Sequence, residues 1–205
     1  MLEISDGQAE CFATQGYITL ERLVDRESVA GLRVCFDKLF SGEFDTGVSP
    51  DEVNWQIGSG DESLTRQICN GWKADRGIAE TVLREDFGRA VAKLGGWPGA
   101  RIMIDNVLWK PPGARPLLYH QDSAYLDWYR PSDLLSLWIA LDETSASGGT
   151  LEFMPGSHRW RQSPPEGDFH GPDDYRQFLR QAAEVEGVAL SEENIDYVEV
   201  PAGGG

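Results

Sequence analysis

The hydrophobic period of this chain changes near residue 100, and the change divides it into two kinds of structure. Before that point apolar residues recur at helical spacing: Val29, Leu32, Phe36 and Leu39 in one stretch, Phe87, Val91 and Leu94 in another. After it the spacing alternates. Residues 101–110 place Ile102, Ile104, Asn106, Leu108 and Lys110 on one face of an expected strand. In 134–142, Leu135, Leu137, Ile139 and Leu141 form a bulky face, and Leu134, Ser136, Trp138 and Ala140 a mixed one. Helices first, then short strands separated by Gly/Pro turns, argue for an α+β domain built on a β-sandwich or jelly roll. A parallel nucleotide-binding fold is disfavoured, because no strand is followed by a glycine-rich loop and a helix.

Local signals place the elements. Asp6 is expected to cap a short helix that carries Ala9, Phe12 and Ala13 and stops at Gly16, with a short strand at 17–20. Asp25 or Ser28 starts the next helix, which ends near Ser41-Gly42. Residues 42–72, rich in Gly, Asp and Ser, read as an irregular surface excursion. Helices follow at 75–83 and 84–94, the second closed by Gly95-Gly96. Pro111-Pro112-Gly113 breaks the first strand of the second half; further strands are expected at 115–122, 150–154 and 197–200. A helical insertion around 165–195 is expected to have Pro172 in its first turn and Asp173 and Asp174 against the helix dipole. It would bury Tyr175, Phe178, Leu179 and Ala182. The reading is one domain over 1–205, mainly helical in 1–96, with a sheet core over 100–205 and no internal repeat.

The 205 residues suffice for a sizeable core, and a composition of 40% hydrophobic and 10% aromatic residues is not that of a disordered chain. Thirty-four acidic against 18 basic residues give a net charge of −16, which repels phosphate backbones and anionic lipid. Nucleic acid and membrane surfaces are therefore excluded as expected partners. No apolar run reaches the roughly 18 residues that span a bilayer, and the N-terminus lacks the basic and apolar regions of a signal peptide. Cys11, Cys35 and Cys69 are far apart and odd in number, so they read as reduced packing thiols in a cytoplasmic protein, not as a zinc or disulfide framework.

Tyr119-His120-Gln121-Asp122 carries the chemistry. On an extended segment positions i and i+2 share a face, so His120 and Asp122 can aim an imidazole nitrogen and a carboxylate oxygen at one point. That is the local half of a 2-His-1-carboxylate triad, which holds non-haem Fe(II) and leaves coordination positions open. His-x-Asp alone is a weak signal, but here it is followed in fixed order by Arg130-Pro131-Ser132-Asp133-Leu134, by Trp138, and by Gly148-Gly149-Thr150-Leu151-Glu152-Phe153-Met154-Pro155-Gly156-Ser157-His158.

Together these residues resemble the phytanoyl-CoA dioxygenase family of Fe(II)- and 2-oxoglutarate-dependent oxygenases, over nearly the whole chain. The resemblance implies a double-stranded β-helix with iron between its sheets and His120 and Asp122 as two of three protein ligands. It implies dioxygen-driven hydroxylation of an unactivated C–H bond of a small organic substrate, with 2-oxoglutarate converted to succinate. Trp138 would line the 2-oxoglutarate pocket, or else pack in the core. Asn106 would hydrogen-bond the cosubstrate, or else a neighbouring group. Lys110 reads as a surface residue. Tyr125 and Trp128 would cover the substrate or the core. His158 belongs to a structural turn in this family, and His170, in a Gly/Pro-rich insertion of a kind that often borders the substrate entrance, reads as an exposed loop residue.

Relatives continue past a Val-Pro-Ala-Gly-Gly stretch into a strand with the distal histidine, followed by an arginine for the 2-oxoglutarate carboxylate. The expectation is that this sequence is truncated before both, with the last strands of the β-helix missing. The alternatives are a non-catalytic protein of the same fold and a cupin-like metalloenzyme that recruits His158 or His170 and needs no 2-oxoglutarate. Retention of Asp122 favours hydroxylation over halogenation. Substrate identity and oligomeric state stay open, although the acidic surface argues mildly against a large anionic substrate.

Overall fold

The computed structural model describes residues 1–58, 60–126, 128–161 and 174–205. Four α-helices precede residue 96 among the described residues. Helix α1 (Asp6–Gln15) starts at Ser5, not at Asp6: Ser5 Oγ accepts from Gln8 N and Gln8 Oε1 accepts from Ser5 N, a reciprocal capping box. It ends at Gly16, whose φ of 89° only glycine adopts without strain. Helix α2 (Arg26–Phe40) is capped by Asp25, which accepts from Ser28 N at 2.8 Å, and buries Val29, Leu32, Leu39 and Phe40. Helix α3 (Arg76–Val82) starts at the buried Asp75, and α4 (Glu85–Gly95) lies against α1.

The stretch expected to be irregular, 42–72, instead contributes two strands. β1 (Glu52–Val53), β2 (Arg66–Cys69) and β3 (Asn106–Trp109) form an antiparallel sheet in that order, with Ile68 opposite Val107 and Cys69 opposite Asn106. One face, with Ile68 and Val107, packs on Leu32, Leu39, Phe40, Trp55 and Ile78. Burying such side chains stabilises by about 1.5–3 kcal/mol each. The other face carries Gln67, Cys69, Asn106 and Leu108. Of the expected strand 101–110 only Asn106–Trp109 is regular, and in it Val107 is buried and Leu108 exposed, because α2 covers the Val107 side.

Elsewhere the second half is extended more than it is laddered. Residues 17–20, 115–122 and 134–142 are not regular strands; Leu117 forms an isolated bridge and Asp122 opens a short 3-10 turn (Asp122–Tyr125). The alternation in 134–142 nevertheless holds. Leu137, Ile139 and Leu141 pack toward Leu23, Val24, Val29 and Phe87, while Trp138 and Ala140 pack with Val198, Val200 and Phe153. Strands β4 (Glu152–Phe153) and β5 (Asp196–Tyr197) pair antiparallel and are shorter than expected.

Glycines 203–205 run between two chain segments. Gly203 N donates to Ala140 O and Ala140 N to Gly204 O, each at 2.8 Å, and Leu20 exchanges two bonds with Gly205. This pairing explains why 17–20 is extended without a regular ladder. Helix α5 (Gln177–Glu186) realises the expected insertion, with Leu179 and Ala183 buried in place of the full expected set. Pro172, Asp173 and His170 lie outside the described residues. No helix among the described residues is long and apolar enough to cross a membrane.

Candidate metal centre

Gln121 is extended (φ −102°, ψ 133°), so the side chains on either side of it fall on one face. His120 Nε2 lies 3.3 Å from Asp122 Oδ1. His120 Nδ1 donates to Leu118 O at 2.7 Å, which leaves Nε2 to donate to Asp122 when the ring is protonated and to offer its lone pair to a cation when the ring is neutral. Asp122 Oδ2 accepts from Ser136 Oγ. Ser136 sits two residues before Trp138, on the mixed face that the alternation defines, so that face looks toward the pair. Gln121 Nε2 donates to the carbonyls of Ser157 and Trp160, tying the pair to the Pro155-Gly156-Ser157 turn. Tyr125 meets His120 edge to face, with ring centroids 5.1 Å apart.

Electrostatics couple the two groups. Burial disfavours the imidazolium, but the hydrogen bonds to Asp122 and Leu118 outweigh it and hold the His120 pKa above its ordinary value. The bond from His120 holds the Asp122 pKa below the usual range against burial, with Ser136 adding to it. A divalent cation would take the place of a proton on Nε2. A neutral imidazole nitrogen and a carboxylate oxygen, with a backbone carbonyl behind the ring and a hydroxyl behind the carboxylate, suit a first-row divalent metal. The side chains are 28% and 47% exposed, so ligands can reach them. No third His, Cys, Asp or Glu joins them among the described residues.

The other candidates fall in separate places. His158 packs on the end of α1, where a Cβ on Gly16 would come within 2.4 Å of its Nδ1. Trp138 packs on Val198 and Val200. Asn106 lies on the sheet face away from α2, where its Oδ1 accepts from Gln67 Nε2 at 2.9 Å and from Cys69 Sγ at 3.2 Å. Lys110 donates to Gly149 O at 3.0 Å. Trp128 is 71% exposed and is not brought to the pair by any contact among the described residues. Sequence reasoning overlooked Ser136 and Gln67. The spacing of Ser136 from Trp138 could have revealed the first; no local signal marks the second.

A family profile for phytanoyl-CoA dioxygenase matches residues 12–204. The chain is 29% identical over 153 residues to a probable α-ketoglutarate-dependent hypophosphite dioxygenase of Stutzerimonas stutzeri, covering 72% of this chain and 51% of that protein. It is 24% identical over 187 residues to a phytanoyl-CoA dioxygenase of Arabidopsis thaliana, covering 76% and 65%. The chain thus spans about half of the first relative and just under two thirds of the second. Among solved structures, the non-haem α-ketoglutarate-dependent carbocyclase SnoK from nogalamycin biosynthesis superposes with a TM-score of 0.67 at 21% identity, over 98% of this chain and 72% of that one. The likeness shows the fold, a double-stranded β-helix.

Proposed function

This chain belongs to the phytanoyl-CoA dioxygenase family, and on that premise we propose that it carries the metal pair of an Fe(II)- and 2-oxoglutarate-dependent dioxygenase. The reaction is hydroxylation of an unactivated C–H bond of a small organic substrate. The observation that carries this reading is the convergence of His120 Nε2 and Asp122 Oδ1 at 3.3 Å, with Nδ1 committed to Leu118 O.

His120 and Asp122 would hold the ion. When bound, Fe(II) and 2-oxoglutarate supply the oxidation: dioxygen, 2-oxoglutarate and substrate C–H give succinate, carbon dioxide and the alcohol. The remaining work falls to the chain. Leu118 O keeps the His120 ring in one orientation and tautomer, and Ser136 fixes the carboxylate of Asp122. The family resemblance assigns Asn106 and Trp138 to the cosubstrate pocket; because Oδ1 of Asn106 accepts from Gln67, the amide N–H groups are what Asn106 would offer there. Tyr125 shields His120 on one side from water. A facial triad needs one further donor, which the family resemblance assigns to a second histidine. The seat of His158 against Gly16 counts against the cupin-like alternative.

The test is dioxygen-dependent formation of succinate from 2-oxoglutarate by the full-length protein with Fe(II). Activity that His120→Ala and Asp122→Ala abolish is expected. Succinate formation that survives both substitutions contradicts the assignment.

A further inference from the structure

Glu152 of β4 accepts four side-chain hydrogen bonds, one of them from the residue next to His120. Only 14% exposed, it accepts from Tyr119 Oη at 2.6 Å and Arg176 Nε at 3.0 Å on Oε2, and from Tyr175 Oη at 2.7 Å and Arg176 Nη2 at 3.1 Å on Oε1. Arg176, which immediately precedes α5, is 16% exposed and also donates to Tyr197 Oη of β5 at 2.7 Å and to Glu192. The Tyr119 and Tyr175 rings stack with 4° between their planes. One carboxylate therefore joins β4, β5, the start of α5 and the segment that carries His120.

Tyr119 is the link that matters for chemistry. It lies between Leu118, whose carbonyl orients the His120 ring, and His120 itself. Moving Tyr119 moves both the ligand and the group that orients it. A satisfied network of this kind rigidifies what it touches, and a bidentate arginine pair adds directional constraint.

We propose that Glu152, clamped by Arg176, is a positioning residue for the metal pair, acting on His120 through the hydroxyl of Tyr119. This rests on the metal reading of His120 and Asp122.

Two tyrosines on one carboxylate provide the control. Tyr119→Phe and Tyr175→Phe each remove one hydroxyl from Glu152, but only Tyr119 belongs to the ligand segment. Co(II) serves as the spectroscopic probe in the full-length protein, with affinity and ligand-field absorption as readouts and thermal midpoints alongside. Tyr119→Phe is expected to weaken Co(II) binding by roughly 10–100-fold and to alter the band shape, the usual effect of removing support behind a ligand. Tyr175→Phe is expected to retain wild-type affinity despite a comparable fall in midpoint. Unchanged binding in Tyr119→Phe, or equal losses in both variants, overturns the positioning role while leaving the metal site intact. If Tyr119→Phe does not fold, Glu152→Gln takes its place: weakened binding supports the role and wild-type binding overturns it. A wild-type protein with no Co(II) signal removes the metal reading and the positioning role together.

Discussion

Ser136 donates its hydroxyl hydrogen to Oδ2 of Asp122, the carboxylate oxygen not turned toward His120. The two oxygens are thereby differentiated: one is held, and the other is presented beside the imidazole. Ser136→Ala is expected to leave the fold intact and to lower divalent-metal affinity by about tenfold, the low end for a lost supporting bond. Isothermal titration with Mn(II) or Co(II) checks it; unchanged affinity would mean that the carboxylate needs no such support.

Acid stability has an identifiable source in Asp86. Arg84 binds it with two hydrogen bonds, Nε to Oδ1 at 3.0 Å and Nη2 to Oδ2 at 2.7 Å, and Leu2 N donates to Oδ2 at 2.6 Å. Arg84 foremost, and Leu2, hold the Asp86 pKa far below the usual carboxylate range against burial. A depressed folded pKa gives stability that is present above the unfolded value, about 3.9, and is lost as pH falls below it toward the folded value. Asp86→Asn should therefore be less stable than wild type at pH 7, with the gap closing between about pH 4 and pH 2. A thermal midpoint series across that range reads the effect, and a gap that stays constant refutes it.

Gly203 has φ 93°, and a Cβ there would lie 2.5 Å from Val24 O. Its carbonyl accepts from Leu23 N and Val24 N, so the backbone cannot move away without losing both bonds. Gly203→Ala is expected to destabilise by on the order of 2 kcal/mol or more, from left-handed strain and overpacking together. Denaturant unfolding that gives a wild-type midpoint would contradict this close packing.

The helices were readable because their ends are local chemistry: Asp25 with Ser28, Gly16 and Gly96 all act within a turn. Ser5 was overlooked in favour of its neighbour Asp6, since both residue types cap helices and only the reciprocal bond with Gln8 decides between them. β1 and β2 were not readable. They are two and four residues long in a polar stretch, and they exist because β3 and α2 give them partners distant in sequence. The convergence of His120 and Asp122 followed from two-residue spacing across the extended Gln121. Glu152 with Arg176 could not follow from spacing, because the two lie 24 positions apart and meet only in the folded chain.

Arg66 is 8% exposed, with its guanidinium 3.7 Å from the Trp55 ring centroid and 4.2 Å from that of Trp109. Its Nε has no hydrogen-bond partner among the described residues. Two desolvated cation–π contacts contribute about 2 kcal/mol each, whereas an unmet buried donor costs roughly 1–3 kcal/mol and the buried charge adds several more. Desolvation wins, so Arg66→Met, which keeps length and indole contact, should leave the thermal midpoint unchanged or raise it. A fall of more than about 4 °C, on the order of 1 kcal/mol or more, would show that the indole stacking dominates.

Anaerobic addition of Fe(II) and then 2-oxoglutarate to the full-length protein tests the assignment of His120 and Asp122 most directly, because it reads metal and cosubstrate together and needs no knowledge of the substrate. The predicted result is a weak visible charge-transfer band that requires both additions and is absent from His120→Ala and from Asp122→Ala. A wild-type protein that shows no such band, or a band that persists in either variant, contradicts the account.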